Sequence, residues 1–174
     1  MFLQTAFYTR NCVHVGNQTF NSSCCTSGTQ RLSRKHKTSG GVLLGIHSSL
    51  NSHRITVAIT SDAESVAAKI LSGKQSIVFG SFYRPPSNDQ AYMDRLTEVI
   101  TCLCKSDPKA TYWIADDADL PNINWFIDQV THHQYNLHVS DNFLQTLAKT
   151  GLEQIVDFPA RYDNTLDIVL TNRP

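Results

Sequence analysis

Three acids fall within four residues at Asp116-Asp117-Ala118-Asp119, directly after the apolar run Ala110-Thr-Tyr-Trp-Ile-Ala115. Carboxylates this close repel one another. Solvent, partial protonation or a hard cation relieves the repulsion, and Mg2+ takes one or two carboxylates while keeping several waters. Solvated loop acids and a metal site both fit the spacing, whereas an EF-hand calcium loop does not, because Leu120-Pro121 interrupts the ligand series and no glycine stands at its turn position. A second group of reactive side chains, Tyr83-Arg84-Pro85-Pro86, ends an earlier apolar run. If the two runs are parallel strands, their ends share one rim, and the Tyr83 hydroxyl and the phosphate-binding fork of Arg84 face the acids. A cation beside carboxylates and a metal is the equipment for phosphodiester chemistry. The alternative is a Tyr83 ring that packs and an Arg84 that neutralises the acids. Asp167 lies inside Thr165-Leu-Asp-Ile-Val-Leu-Thr171, where an unbonded carboxylate is costly. It either orients a catalytic histidine or another site group, or is satisfied by backbone amides or Arg161. His132, His133 and His138 follow the acids in a polar loop and read as solvent-exposed.

The elements that must hold these groups come from periodicity. Gly41–His47 and Arg54–Thr60 read as strands, the second through alternating Ile55, Val57 and Ile59. Glu64–Ile70 is a weaker strand candidate, and Ser72-Gly-Lys-Gln is turn chemistry leading into a strand over Ser76–Tyr83, which Pro85-Pro86 stops. Met93, Leu96, Ile100 and Leu103 then recur at helical spacing, predicting a helix over Asp89–Lys105 capped by Ser87 or Asn88. Ala110–Ala115 is the next strand, so strand, helix and strand form a parallel unit. A loop spans Pro121–Val139. Ser140 or Asp141 is expected to cap a second helix running to about Thr150, with Phe143, Leu144 and Leu147 inward and Gly151 as its stop. Leu152–Val156 and Thr165–Thr171 complete the strands. Residues 1–39 show no period over Asn11–Lys37 and read as an irregular, partly disordered segment; 40–174 reads as one α/β domain with a mixed sheet and helices packed on it.

Composition narrows the classes. Of 174 residues, 15 are Lys or Arg and 15 are Asp or Glu, so the formal net charge is zero and any nucleic-acid contact must be local rather than a bulk basic footprint. No apolar run reaches the roughly 18 residues of a membrane helix, and Met1–Arg10 lacks the features of a signal peptide. An intracellular protein, nuclear or cytoplasmic, with no membrane partner is expected. The five cysteines lack zinc-ligand spacing and read as reduced thiols.

Four segments in order carry a family resemblance: Gly40-Gly-Val-Leu-Leu-Gly-Ile, Phe82-Tyr-Arg-Pro-Pro-Ser, Ile114-Ala-Asp-Asp-Ala-Asp-Leu-Pro-Asn-Ile-Asn-Trp125 and Asn164-Thr-Leu-Asp-Ile-Val-Leu-Thr-Asn172. Together they resemble the endonuclease/exonuclease/phosphatase superfamily, and more narrowly the endonuclease domain preceding reverse transcriptase in non-LTR retrotransposons. The resemblance implies a four-layer α/β sandwich, here partial, and a Mg2+-dependent nuclease that nicks DNA, with reverse transcriptase in the same polyprotein and no small-molecule cofactor. It places Asp117 on the family's active-site Asp, which helps position the attacking water, and Asp119 on the Asn of the same motif. Both are the expected metal ligands. It places Tyr83 on the tyrosine that contacts the scissile phosphate and Asp167 on the acid supporting the catalytic histidine.

Departures accompany the matches. Asp116 stands for the motif's Gly, Ala118 for its Phe and Asp119 for its Asn, the last exchanging an amide that can donate for a carboxylate that cannot. Residues 1–39 contain no Glu to match the family's metal-binding Glu, and no Ser-Asp-His motif follows Asn172. Losing one member of a cooperating catalytic set removes most of the rate. The expectation is a degenerate or truncated, inactive endonuclease domain. The alternatives are a non-catalytic remnant binding nucleic acid weakly through Arg31, Arg34, Lys35 and Lys37, or a superfamily phosphatase.

Overall fold

The computed structural model describes residues 6–8, 29–33, 42–47, 49–57, 63–85, 87, 89–131, 136–159 and 165–174. The elements are β1 (Ala6–Tyr8), β2 (Thr29–Ser33), β3 (Leu43–His47), β4 (Ser52–Ile55), β5 (Glu64–Ser72), β6 (Gln75–Tyr83), α1 (Gln90–Ser106), β7 (Thr111–Asp117), β8 (Ile123–Asn124), β9 (Gln129–Val130), α2 (Leu137–Thr150), β10 (Glu153–Gln154) and β11 (Asp167–Thr171). A six-stranded mixed sheet runs β10-β11-β7-β6-β5-β4, a three-stranded sheet runs β1-β3-β2, and β8 and β9 form a hairpin.

Sequence periodicity explains the layering. Successive strand residues face opposite ways, so Val78 and Phe82 of β6, Tyr112 and Ile114 of β7, and Ile168 and Leu170 of β11 meet Met93, Leu96, Ile100 and Leu103 of α1 and Phe143 and Leu147 of α2 in one core. The other face carries Val66, Ala68, Ile70 and Phe79, which pack on Leu44 and Ile46 of β3. Burying each such Leu, Ile or Phe contributes about 1.5–3 kcal/mol. The described residues thus form three layers of the expected α/β sandwich: helices, the six-stranded sheet and the three-stranded sheet.

Among the described residues only β6 and β7 pair in parallel, with α1 as the crossover, as the strand-helix-strand pattern predicts. The β5–β6 hairpin turns at Gly73-Lys74, where Gly73 takes φ 60°, a conformation open to glycine without strain. Gly151 ends α2 with φ 66°, its N–H donating to the Leu147 carbonyl, as expected.

Four expectations are corrected. The cap of α1 is Asp89, whose Oδ1 accepts from the Tyr92 N–H at 3.0 Å, while the Ser87 Oγ accepts only from the Asp89 N–H at 3.4 Å, ahead of the helix. α2 begins at Leu137 under an Asn136 cap rather than at Ser140 or Asp141, because the inward stripe starts one turn earlier at the fully buried Val139. The loop over Pro121–Val139 contains the β8–β9 hairpin and that first turn. Within the stretch read as irregular, β1 and β2 pair with β3 on either side. Residues 58–60 of the second predicted strand, Asn88, Arg34, Lys35, Lys37, His132, His133 and Arg161 lie outside the described residues, as does the side chain of Arg31.

Candidate active site

The acid run does not begin in a loop. β7 continues two residues past Ala115, because Asp116 and Asp117 pair on one side with Phe82 and Tyr83 and on the other with Ile168 and Asp167. Asp117 is therefore the last residue of a strand held on both edges. The registers place Tyr83, Asp117 and Asp167 in one lateral row across β6, β7 and β11. Tyr83 shares the sheet face of Phe79 and Trp113. Residues paired across a ladder point to the same face, so the row projects away from the helices, at the rim where β6 and β7 end.

Three fastenings fix this rim. The Tyr92 hydroxyl of α1 donates to the Tyr83 carbonyl at 2.7 Å and accepts from the Glu64 N–H at 3.1 Å, tying the helix to the ends of β5 and β6. The Ala118 N–H donates to the Leu166 carbonyl at 2.9 Å, and the Trp125 indole N–H donates to the Thr165 carbonyl at 3.0 Å, tying the exit of β7 to the entry of β11. Arg84 supplies the third. Its backbone N–H donates to the Asp117 carbonyl at 3.3 Å. Its guanidinium, only 1% exposed, donates to the carbonyls of Ala118 at 3.3 Å, Asp119 at 2.8 Å and Ser87. The fork expected to bind phosphate is thus engaged with main-chain oxygens beneath the acids, and it fixes the path of Ala118 and Asp119. Asp119 adopts φ 42°, the left-handed region that Asp tolerates better than most residues.

Glu64 is the residue that sequence reasoning missed. It is the lateral partner of Tyr83, which extends the row to Glu64, Tyr83, Asp117 and Asp167 across four strands, and it is buried. The signal was present: counting equal steps back from the Gly73-Lys74 turn puts Glu64 opposite Tyr83. Among the described residues no group of three or more His, Cys, Asp or Glu is arranged to hold a metal ion. Asp117 and Asp119 remain as two oxygen donors, the number Mg2+ commonly draws from protein. His138 is exposed in the first turn of α2, as expected.

This mixed sheet, with helices on one face, a second sheet on the other and acids at the rim of the parallel pair, is the fold of the endonuclease/exonuclease/phosphatase superfamily. The endonuclease domain of TRAS1, a telomere-specific non-LTR retrotransposon, aligns with a TM-score of 0.60 at 16% identity over 85% of this chain and 68% of its own. The human Nocturnin catalytic domain aligns at TM-score 0.53 and 12% identity over 84% of this chain and 61% of its own. An AP endonuclease from Archaeoglobus fulgidus gives 0.52 and 11% over 84% and 68%. The chain therefore spans about two thirds of the length of these structures, and identities this low establish the fold alone. No family model matches the sequence, and no curated protein sequence matches it. Among the described residues no helix is long and apolar enough to cross a membrane.

Proposed function

We propose that the chain is a degenerate metal-dependent endonuclease domain of the non-LTR retrotransposon type, whose ancestral activity is the nicking of DNA by phosphodiester hydrolysis. The observation that carries this reading is the register row: Tyr83, Asp117 and Asp167, distant in sequence, stand side by side at one rim and on one face. Tyr83 supplies a hydroxyl for a phosphate oxygen. Asp117 positions water, and with Asp119 it would hold Mg2+. When bound, the cation supplies charge neutralisation at the phosphate. Asp167 orients its neighbours in the row, the role its family counterpart plays toward a histidine. Arg84 sets the backbone that presents Asp119. The carboxylate of Asp119, where the family has an amide, weakens phosphate binding, and this is the strongest local reason for a slow or silent site. The domain reading is that residues 40–174 form the endonuclease portion, with reverse transcriptase expected in the same polyprotein.

The test is relaxation of supercoiled plasmid by the 174-residue chain in Mg2+, alongside duplex binding at two salt concentrations. Salt-dependent binding with at most a trace of nicking, any of it disappearing in Asp117→Ala, is the expected result. Binding without nicking identifies a non-catalytic remnant, and absence of both overturns the reading.

A further inference from the structure

Charge is sorted along the strands. The candidate site occupies the rim where β6 and β7 end, and Glu64, Asp89, Asp117, Asp119 and Asp167 gather at that end. The opposite rim, where β6 and β7 begin and β5 and β11 end, lies about 26 Å away along the nine residues of β6. Both helices also end there: α1 stops at Ser106 ahead of β7, and α2 stops at Thr150 ahead of β10, whose Glu153 pairs with Thr171 at the end of β11. This second rim is basic. Lys74 lies in the β5–β6 turn, Lys105 in the last turn of α1, Lys109 two residues before β7 and Lys149 in the last turn of α2, all exposed. None of the four has an ion-pair partner among the described residues; it is Lys69 that is engaged, with Asp107 at 2.5 Å. Glu153 is the other acid at this end, and Arg173 stands beside the terminal carboxylate of Pro174, which offsets it. Helix C-termini favour a nearby cation, which accounts for Lys105 and Lys149. Lys74 and Lys109 belong to loops and have no such role. A chain of zero net charge thus concentrates unpaired positive charge at the end away from its acids.

We infer that this basic rim is a separate nucleic-acid contact, one that grips the phosphate backbone of a duplex without reading its sequence. It goes beyond the function proposed above and does not need the Asp117 site to be active. Lysine is a compact, strongly hydrated point charge that suits a phosphate, whereas base readout draws on forked or amide side chains. Backbone contacts of this kind carry no sequence information. The layout fits as well. Lys74 and Lys109 precede the adjacent strands β6 and β7, whose axes lie about 4.8 Å apart, and Lys105 and Lys149 extend the charge into the helix layer. A duplex places one negative charge about every 1.7 Å of its axis, so such a surface meets several phosphates at once. A protein occupant fits less well, because stable interfaces bury about 800 Å2 per partner around apolar anchors and are poor in lysine. Among the described residues Leu71, 43% exposed, is the one large apolar side chain bared at this rim. The same want of apolar and aromatic anchors disfavours a membrane surface. The acids at the far rim repel phosphate, so a duplex held by charge alone is directed to the basic end.

The test is fluorescence anisotropy of short labelled duplexes of unrelated sequence, titrated with the full chain without Mg2+ over a range of salt. The double variant Lys74→Gln, Lys109→Gln should weaken binding at low salt by about ten-fold and flatten the slope of log affinity against log salt by about two. The loss should be alike for each sequence, and the double variant Lys74→Arg, Lys109→Arg should retain both affinity and slope. Both lysines are exposed and outside the two cores, so circular dichroism and melting temperature should stay those of the wild type. Asp117→Ala should leave this binding in place, which separates it from the proposed site. Unchanged affinity and slope in the glutamine variant overturn the basic rim while leaving the endonuclease reading standing, and so does nicking in Mg2+ without any low-salt binding. Wild-type binding to vesicles of phosphatidylserine and phosphatidylcholine but not to the duplexes, or self-association that the glutamine variant abolishes, reveals another occupant and overturns it too.

Discussion

Tyr83 and Asp117 are lateral partners across the parallel β6–β7 pair, and on the far edge of β7 Asp117 is paired in turn with Asp167. Like charges directly opposite in a ladder are destabilising, whereas favourable cross-strand pairs contribute about 0.2–1 kcal/mol. Such a repulsion is tolerated where a cation relieves it. Asp167→Asn should therefore raise the urea midpoint of the cation-free protein by an increment of about that size, and millimolar Mg2+ should shrink the difference by stabilising the wild type alone. If Asp167→Asn is destabilising with and without Mg2+, the carboxylate's bonds outweigh the repulsion and the row is structural.

Arg84 gives a prediction of opposite sign. Its guanidinium is buried and donates to the carbonyls of Ser87, Ala118 and Asp119. A lysine has neither the planar fork nor enough donors in the right places, and a hydrogen bond to a charged group contributes about 1.5–3 kcal/mol. Arg84→Lys should cost about 2 kcal/mol in urea denaturation and lower Mg2+ affinity, because the backbone presenting Asp119 loosens. A stable variant with intact cation binding but weakened DNA binding would return Arg84 to the phosphate role.

The C-cap of α1 provides a pH signature far from the site. Lys69 Nζ lies 2.5 Å and Ser76 Oγ 2.7 Å from Asp107 Oδ2, and these bonds, the lysine's first, hold the carboxyl down from 3.8 to about 2. The unfolded chain binds the proton more tightly, so the contribution to stability is complete above 3.8 and is lost as pH falls through about 2. Carboxyl NMR should find Asp107 titrating near 2 in the wild type, and Lys69→Met should move it back toward 3.8. An unshifted wild-type midpoint would show the pair to be broken in solution.

Much of this architecture is legible in the sequence, for identifiable reasons. Met93, Leu96, Ile100 and Leu103 announce α1 because burial repeats with the helical turn, and Gly73-Lys74 announces a hairpin because glycine reaches positive φ. The shared rim of Tyr83 and Asp117 followed from strand, helix and strand in succession. What escaped was set by partners remote in sequence. Ala6–Tyr8 is a strand because β3 pairs with it, and nothing local to those residues says so. Asp116 and Asp117 look like loop acids until ladders from both β6 and β11 hold them in the sheet. Arg84 looked like a free fork because no local pattern shows which carbonyls will close around it. Glu64 was hidden because its place in the row depends on register, which alternation alone leaves open.

Cys104 supplies the last test. Burial raises its thiol from 9.0 to about 11, since the thiolate would lose solvation against the α1 side of the core. The folded state then binds the proton more tightly than the unfolded one, so stability is full below 9.0 and declines as pH rises from there toward 11. Thiolate is the reactive form, so iodoacetamide at pH 8 should modify Cys104 far more slowly in the native protein than in urea, as read by peptide mass spectrometry. Equal rates in the two conditions would mean that α1 opens readily from the sheet.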